Sequence, residues 1–176
     1  MFKVKVDDEI ELFLVHENFA KEYSRLAAEN REYLSQWLEW PRHCSTEEDF
    51  NKFAQGSLVK HASGTSMNCA IFYRNELVGN IGFNKILRSV GRVEIGYWLA
   101  EKFQGKGIIN RSCSFLINYA FTELSVEKVQ ISAAEENISS RSVCERLGMT
   151  LEGTLSNQEK VGESIYSHAI YGIWRK

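Results

Sequence analysis

Residues 104–109, QGKGII, follow directly on a strand-like run at 92–99 (RVEIGYWL) and lead directly into an apolar-striped helical pattern at 110–121. A turn with two glycines between a strand and a helix leaves several backbone N–H groups unpaired at the helix's positive end. Such an end is a ready seat for a phosphate or pyrophosphate. The flanking strand and helix make this short Gly-rich fragment informative.

The rest of the chain supplies a sheet and its cover. Residues 2–14 alternate as one or two short strands, the second over 11–15. From 17 to 38 the period is helical, with Phe19, Tyr23 and Leu26, an interruption at Asn30, then Tyr33, Leu34, Trp37 and Leu38. Trp40-Pro41 ends that second helix, because proline disfavours helical geometry in the residue before it. Ser45 with Glu48 matches a capping box for a third helix carrying Phe50, Phe53 and Leu58. Strands are expected at 67–73 and 77–86 around a turn at 74–76, and again at 92–99. A helix over 105–121 puts Ile109, Cys113, Leu116, Ile117, Ala120 and Phe121 on one buried stripe. A strand at 126–133 follows, then a short helix at 139–147 stopped by Gly148. Strands at 151–155 and 164–174 close the chain around a turn at 158–162. The fold class is α/β, one mixed sheet covered by helices, in a single domain over 1–176 with no linker or repeat.

Composition narrows the partners. At 176 residues the chain can bury roughly two-thirds of its unfolded surface. Its 21 basic and 23 acidic residues give a net charge of −2, so its overall field offers nucleic acid no general attraction. No apolar run reaches bilayer length, and the start, MFKVKVDDEIELFLV, alternates where a signal peptide would be continuously apolar. The expected location is cytoplasmic. Cys44, Cys69, Cys113 and Cys144 lack metal-site or CxxC spacing, so they are expected as free thiols and no metal site is expected.

Four blocks carry a resemblance: NREYLSQWLEW (30–40), LVGNIGF (77–83), VEIGYWLAEKFQGKGI (93–108) and ENISSRSVCERLGMTLEG (136–153). In this order the chain resembles the GNAT superfamily of N-acetyltransferases, and within it the bacterial acetyltransferases of ribosomal-protein alanine and serine N-termini. The resemblance implies a mixed, centrally splayed sheet flanked by helices, the acyl-CoA N-acyltransferase fold. It also implies acetyl transfer from acetyl-CoA to an amine. The family's pyrophosphate motif, Gln/Arg-x-x-Gly-x-Gly/Ala, falls on Gln104, Gly107 and Ile109, with Ile109 larger than the residue expected. The amides of Gly105, Lys106, Gly107, Ile108 and Ile109 would hold the pyrophosphate. Main-chain groups near Trp98 and Leu99 would bond the pantetheine arm, where the strand at 92–99 parts from that at 126–133. Gly96 is read either as clearance for a close ligand or as a packing glycine. Asn137 matches an asparagine that bonds the cofactor arm, and it also suits a helix start.

Ser140 matches the serine that the ribosomal type sets beside the departing CoA thiolate, where a hydroxyl stabilises charge by a hydrogen bond. Cys144 stands where many GNAT enzymes have a tyrosine acid; it either carries that proton or packs as a small apolar residue. Two carboxylates compete as base, since attack requires a neutral amine. Glu94 lies on the alternate face of its strand from Val93, Ile95 and Tyr97, with an ion pair to a neighbouring arginine as the competing account. Glu159 lies in the loop at 156–163, where the ribosomal type has a glutamate near the amine, and is otherwise a solvated charge. His168 is read as packing or bonding at a strand face.

Tyr33, Trp37 and Trp40 fall in helices that would roof the acceptor cleft, or equally form their helix's core face. Glu39, Glu47, Glu48 and Asp49 add negative charge that would favour a cationic amine. The expected acceptor is a protein N-terminus, a ribosomal protein's among them. Alternatives are a polyamine or aminoglycoside, and a non-catalytic acetyl-CoA-binding protein on the same scaffold. Apolar residues on the last strands allow a homodimer.

Overall fold

The structure is a computed structural model describing residues 2–176. Strands β1 (Lys3–Lys5), β2 (Ile10–Leu14), β3 (Met67–Tyr73) and β4 (Glu76–Leu87) form an antiparallel half-sheet. Arg74 and Asn75 turn β3 into β4 with φ of 49° and 66°. Asparagine tolerates that left-handed region, and paired positive φ values match the strands' twist. β5 (Arg92–Leu99) continues the antiparallel order beside β4. β6 (Lys128–Ala134) then runs parallel to β5, and β8 (Ser164–Trp174) and β7 (Thr150–Val161) complete the order β1-β2-β3-β4-β5-β6-β8-β7.

Helices cover both faces. α1 (Ala20–Glu29), α2 (Arg31–Leu34) and α3 (Glu47–Ala62) lie on one side. There Tyr23, Phe50, Phe53, Trp40 and Trp98 form an aromatic cluster with centroids 5.4–6.5 Å apart. Asn30 does interrupt the first helical run, its side chain donating to Leu26 O at 2.8 Å. α4 (Ile108–Thr122) and α5 (Ile138–Arg146) lie on the other side. Cys113, Leu116, Ile117 and Ala120 of α4 are buried against the sheet. Each large side chain there contributes about 1.5–3 kcal/mol of burial.

Several boundaries differ from expectation. α4 starts at Ile108 rather than 105, because Gly105 and Gly107 take φ of 72° and 71°, outside helical geometry. The capping box of α3 falls one residue on, at Thr46 and Asp49. The backbone N–H groups of Thr46 and Ser45, and then the Thr46 hydroxyl, hold the Asp49 carboxyl down at about 2. β6 begins at Lys128, since Val126 N–H turns back to Ala120 O at 3.3 Å. β7 runs through the expected loop to Val161, with a break in register between Leu155 and Glu159. Leu151, Leu155, Ile165 and Trp174 on the last two strands are exposed.

Candidate active site

The sheet parts where the resemblance requires. β5 and β6 pair only from Arg92↔Lys128 to Ile95↔Ile131, so Gly96 to Leu99 have no β6 partner on that edge. Unpaired strand edges seek hydrogen bonds, and an extended ligand arm can supply them. The gap opens into a cleft of about 700 Å³, lined by Trp98, Leu99, Gln104, Gly105, Gly107, Ile108, Ile109, Asn137 and Ser140 together with Tyr33 and Trp37. Residues far apart in the chain thus meet around one cleft.

At one end of the cleft is the Gly-rich turn. The first helical bond of α4 is Arg111 N–H to Gly107 O at 3.0 Å, and Gly107 supplies no side-chain cap. The N–H groups of Ile108, Ile109 and Asn110 therefore stand at the open positive end of a 15-residue helix. Arg111 braces the turn from behind, donating to Lys106 O at 3.3 Å while pairing with Asp7 at 2.8 Å and Glu9 at 3.0 Å. The Lys106 ammonium points away, over the Phe103 and Tyr73 rings at 5.1 and 5.8 Å, so only its backbone belongs to the turn. Gln104 donates from its amide to the Tyr33 hydroxyl, and Glu101 N–H donates to Asn30 at 2.9 Å. These contacts fasten the turn to the α1–α2 joint. Ile109 is only partly buried and lines the cleft, which accommodates its larger side chain.

At the other end, Asn137 caps α5, accepting from Ser140 N–H at 3.1 Å. Its amide nitrogen is the group left to meet a ligand. Ser140 Oγ lies 2.8 Å from the Tyr97 hydroxyl, across the gap between α5 and β5. Burial holds the Tyr97 hydroxyl well above the usual tyrosine range, so it stays protonated. Either hydroxyl can donate in this pair; when Tyr97 donates, the Ser140 hydrogen is free to point elsewhere. Tyr97 was not singled out from sequence, where it reads as one of the apolar-face residues of β5; its hydroxyl is the signal.

Cys144 does not join them. It is fully buried on α5, and burial pushes its thiol up to about 12. It packs as a small apolar residue, so Cys144→Ala is expected to keep kcat within about twofold while costing about 1–2 kcal/mol of stability. A steady-state rate beside a thermal melt checks both.

Trp40 also departs from expectation. It belongs to the aromatic cluster with Phe50 and Trp98 and does not line the cleft, because the turn at Pro41 folds it onto the core. Gly96 is explained by packing, since a Cβ there would come within 2.1 Å of the Asn84 side chain. Three of the four acidic residues expected near the acceptor are engaged elsewhere. Glu39 accepts from Gly162 N–H at 2.7 Å and from His43 at 2.8 Å, Asp49 caps α3, and Glu48 pairs with Lys52 at 2.7 Å.

A second, open cleft of about 880 Å³ lies between α1–α2 and the β7–β8 hairpin, lined by Glu29, Arg31, Glu32, Arg42, Glu163 and Tyr166 among others. The Tyr166 ring meets Trp37 at 5.6 Å, so the two clefts adjoin across this aromatic pair. Glu159 is the register partner of Tyr166 and sits on a strand rather than in a loop. Its carboxylate is 3.3 Å from His168 Nε2. Glu94 lies apart, in the paired section of β5, 3.6 Å from Lys85 and 3.3 Å from the Gln130 amide. Its cationic neighbour is thus a lysine, not the arginine expected.

Residues 15–150 match the model of the acetyltransferase (GNAT) domain. The chain is 35% identical to the ribosomal-protein-serine acetyltransferase of Escherichia coli K12 over 161 residues, covering 92% of this chain and 90% of the relative. Among solved structures it is similar to RimL, the ribosomal L7/L12 alpha-N-protein acetyltransferase in complex with coenzyme A, at 28% identity with a TM-score of 0.94 over 98% of each chain. It is also similar to the microcin C7 self-immunity acetyltransferase MccE in complex with acetyl-CoA and AMP, at 28% identity and a TM-score of 0.93, covering 98% of this chain and 96% of that one. No helix among the described residues is long and apolar enough to cross a membrane. With the splayed sheet, the Gly-rich helix start and a family match over most of its length, the chain belongs to the GNAT family of acetyl-CoA-dependent N-acetyltransferases.

Proposed function

We propose that this enzyme acetylates the N-terminal amine of a protein, with a ribosomal protein as the acceptor class. The observation that carries it is the near-full-length likeness to the ribosomal-protein-serine acetyltransferase, with 90% of that relative covered. The two adjoining clefts support the same reading. The cleft between β5 and α5 suits the long anionic co-substrate, and the open polar cleft beside the β7–β8 hairpin suits a polypeptide leading to the reaction point. Glu29, Glu32 and Glu163 line it beside Arg31 and Arg42, with Glu29 already paired to Arg25 at 2.8 Å.

Bound acetyl-CoA supplies an activated acetyl carbonyl and a thiolate leaving group. In the proposed site, the amides of Gly105 to Ile109 hold the pyrophosphate, and the backbone of Trp98 and Leu99 with the Asn137 amide hold the arm. Glu159 removes the proton that an ammonium must lose before its nitrogen can attack. Ser140, with the Tyr97 hydroxyl 2.8 Å behind it as hydrogen-bond partner, offers its own hydrogen to the departing sulfur. Glu94 is the weaker choice of base because it stands in the paired section of β5, short of the gap where β5 and β6 part.

Mass spectrometry after incubation with acetyl-CoA and competing amines tests the acceptor class. A peptide beginning with serine or alanine, in the sequence of a ribosomal-protein N-terminus, is expected to gain one acetyl group on its α-amine. Spermidine or an aminoglycoside at equal concentration is expected to remain unmodified. Turnover of the polyamine alone would move the assignment to small cationic amines, and no turnover with any amine despite tight CoA binding would refute the catalytic reading.

A further inference from the structure

The β7–β8 ladder contains a displacement that changes what Glu159 faces. From Leu155↔His168, an unbroken antiparallel ladder would set Asn157 opposite Tyr166 and Glu159 opposite Ser164, at the hairpin tip. Instead the register breaks, Asn157 takes φ of 51°, and Glu159 stands opposite Tyr166. The bulge draws the carboxylate two residues inward along β8, toward His168. Bulges commonly re-aim a side chain in this way beside active sites.

His168 is held from behind as well. Its Nδ1 lies 2.8 Å from Ser132 Oγ, and its Nε2 lies 3.3 Å from Glu159 Oε2. The imidazole is 11% exposed and the Glu159 side chain 43%. The Nε2–Oε2 contact is an ion-pair distance, while Nδ1 and the Ser132 hydroxyl form a hydrogen bond in which either group can donate. Ser132 is the first residue of β6 beyond the last β5 pair, Ile95↔Ile131, so the chain of contacts begins at the base of the gap.

We propose that Ser132 and His168 are positioning residues that aim the Glu159 carboxylate at the acceptor amine. With Nδ1 bonded to Ser132 and Nε2 facing Glu159 Oε2, the ring stands beside one carboxylate oxygen and leaves the other to take the proton. The inference rests on Glu159 being the base. It also explains a histidine on the last strand that packing alone would fill with an aliphatic residue.

A double-mutant cycle on the intact enzyme tests it. His168→Phe keeps a flat ring without the nitrogens and is expected to lower kcat about tenfold, with KM for acetyl-CoA unchanged. His168→Gln places an amide N–H near the position of Nε2 and is expected to recover most of that loss. Ser132→Ala, a milder change, is expected to lower kcat by about threefold. In a Glu159→Gln background neither His168→Phe nor Ser132→Ala should cost anything more, because the group they position is gone. Equal losses in both backgrounds, no loss from His168→Phe or Ser132→Ala, or Gln no better than Phe would overturn the proposal. If Glu159→Gln lowers the rate and the His168 and Ser132 variants do not, only the positioning role fails. If Glu159→Gln itself leaves the rate intact, the base assignment fails and takes this inference with it.

Discussion

Glu159→Gln is expected to lower kcat by about 10²–10⁴-fold, the range general-base removal ordinarily costs. The substitution is isosteric, keeps the bulged strand, and removes only the ability to accept a proton. Glu159 lies outside the cleft proposed for acetyl-CoA, so KM for the co-substrate is expected to stay within about twofold. The pH profile carries a second signature. Without a base the rate depends on the small fraction of acceptor already neutral, and it should rise steadily with pH toward the amine's own pKa. The measurement is kcat against pH with a fixed peptide acceptor. Glu94→Gln is expected to change the rate far less, because Glu94 stands in the paired section of β5, short of the gap where β5 and β6 part. A small effect at Glu159 with a collapse at Glu94 would reverse the assignment.

The second large effect is expected at a position with no chemistry. A Cβ on Gly79 would lie 2.2 Å from Trp98 O and 3.0 Å from Leu99 Cα. Those are backbone atoms of the neighbouring strand and cannot rotate aside, so β4 and β5 must separate. Gly79→Ala should therefore destabilise the fold by about 3 kcal/mol or more, at the upper end of overpacking costs. That corresponds to a fall in Tm of roughly 6–12 °C for a chain of this size. Gly79 pairs with Leu99 and Asn80 with Trp98, so the displacement also moves the β5 edge proposed to bond the pantetheine arm. KM for acetyl-CoA is expected to rise with the loss of stability. Gly105→Ala is the useful comparison. Nothing lies within 4 Å of its Cβ, and only its φ of 72° is strained, so about 1–2 kcal/mol is expected. Equal melts for the two variants would show that strand clearance at Gly79 carries no weight.

Much of the cofactor side was legible before any coordinates. Strand, double-glycine turn and helix are consecutive in the chain, so the turn, Asn137 and Ser140 could be named from local pattern and motif order. The acceptor side was harder to read, for a different reason. Glu159 reads from sequence as part of the loop at 156–163, around the turn at 158–162, yet a bulge lets the strand continue through it. Trp40 and Trp37 have the same residue type three positions apart, but the turn at Pro41 sends one to the aromatic cluster and the other to the cleft. The acidic stretch at 47–49 looked like a substrate field, while capping and an i,i+4 pair consume two of its charges.

Local sequence thus determined that this chain has a glycine-flanked helix start with open N–H groups beside a strand, since hydrogen bonding and backbone conformation there depend on neighbours within a few residues. It also determined, through motif order, the family and its acetyl-CoA co-substrate. Only the tertiary structure decided that Tyr97 meets Ser140, that Cys144 is sealed in the core, and that Ser132, His168 and Glu159 stand in line. Two of those contacts join residues 43 and 36 positions apart in the chain, and one residue of register reverses the face on which a side chain emerges. Pairing across a sheet is a property of the folded whole, and no window along the chain contains it.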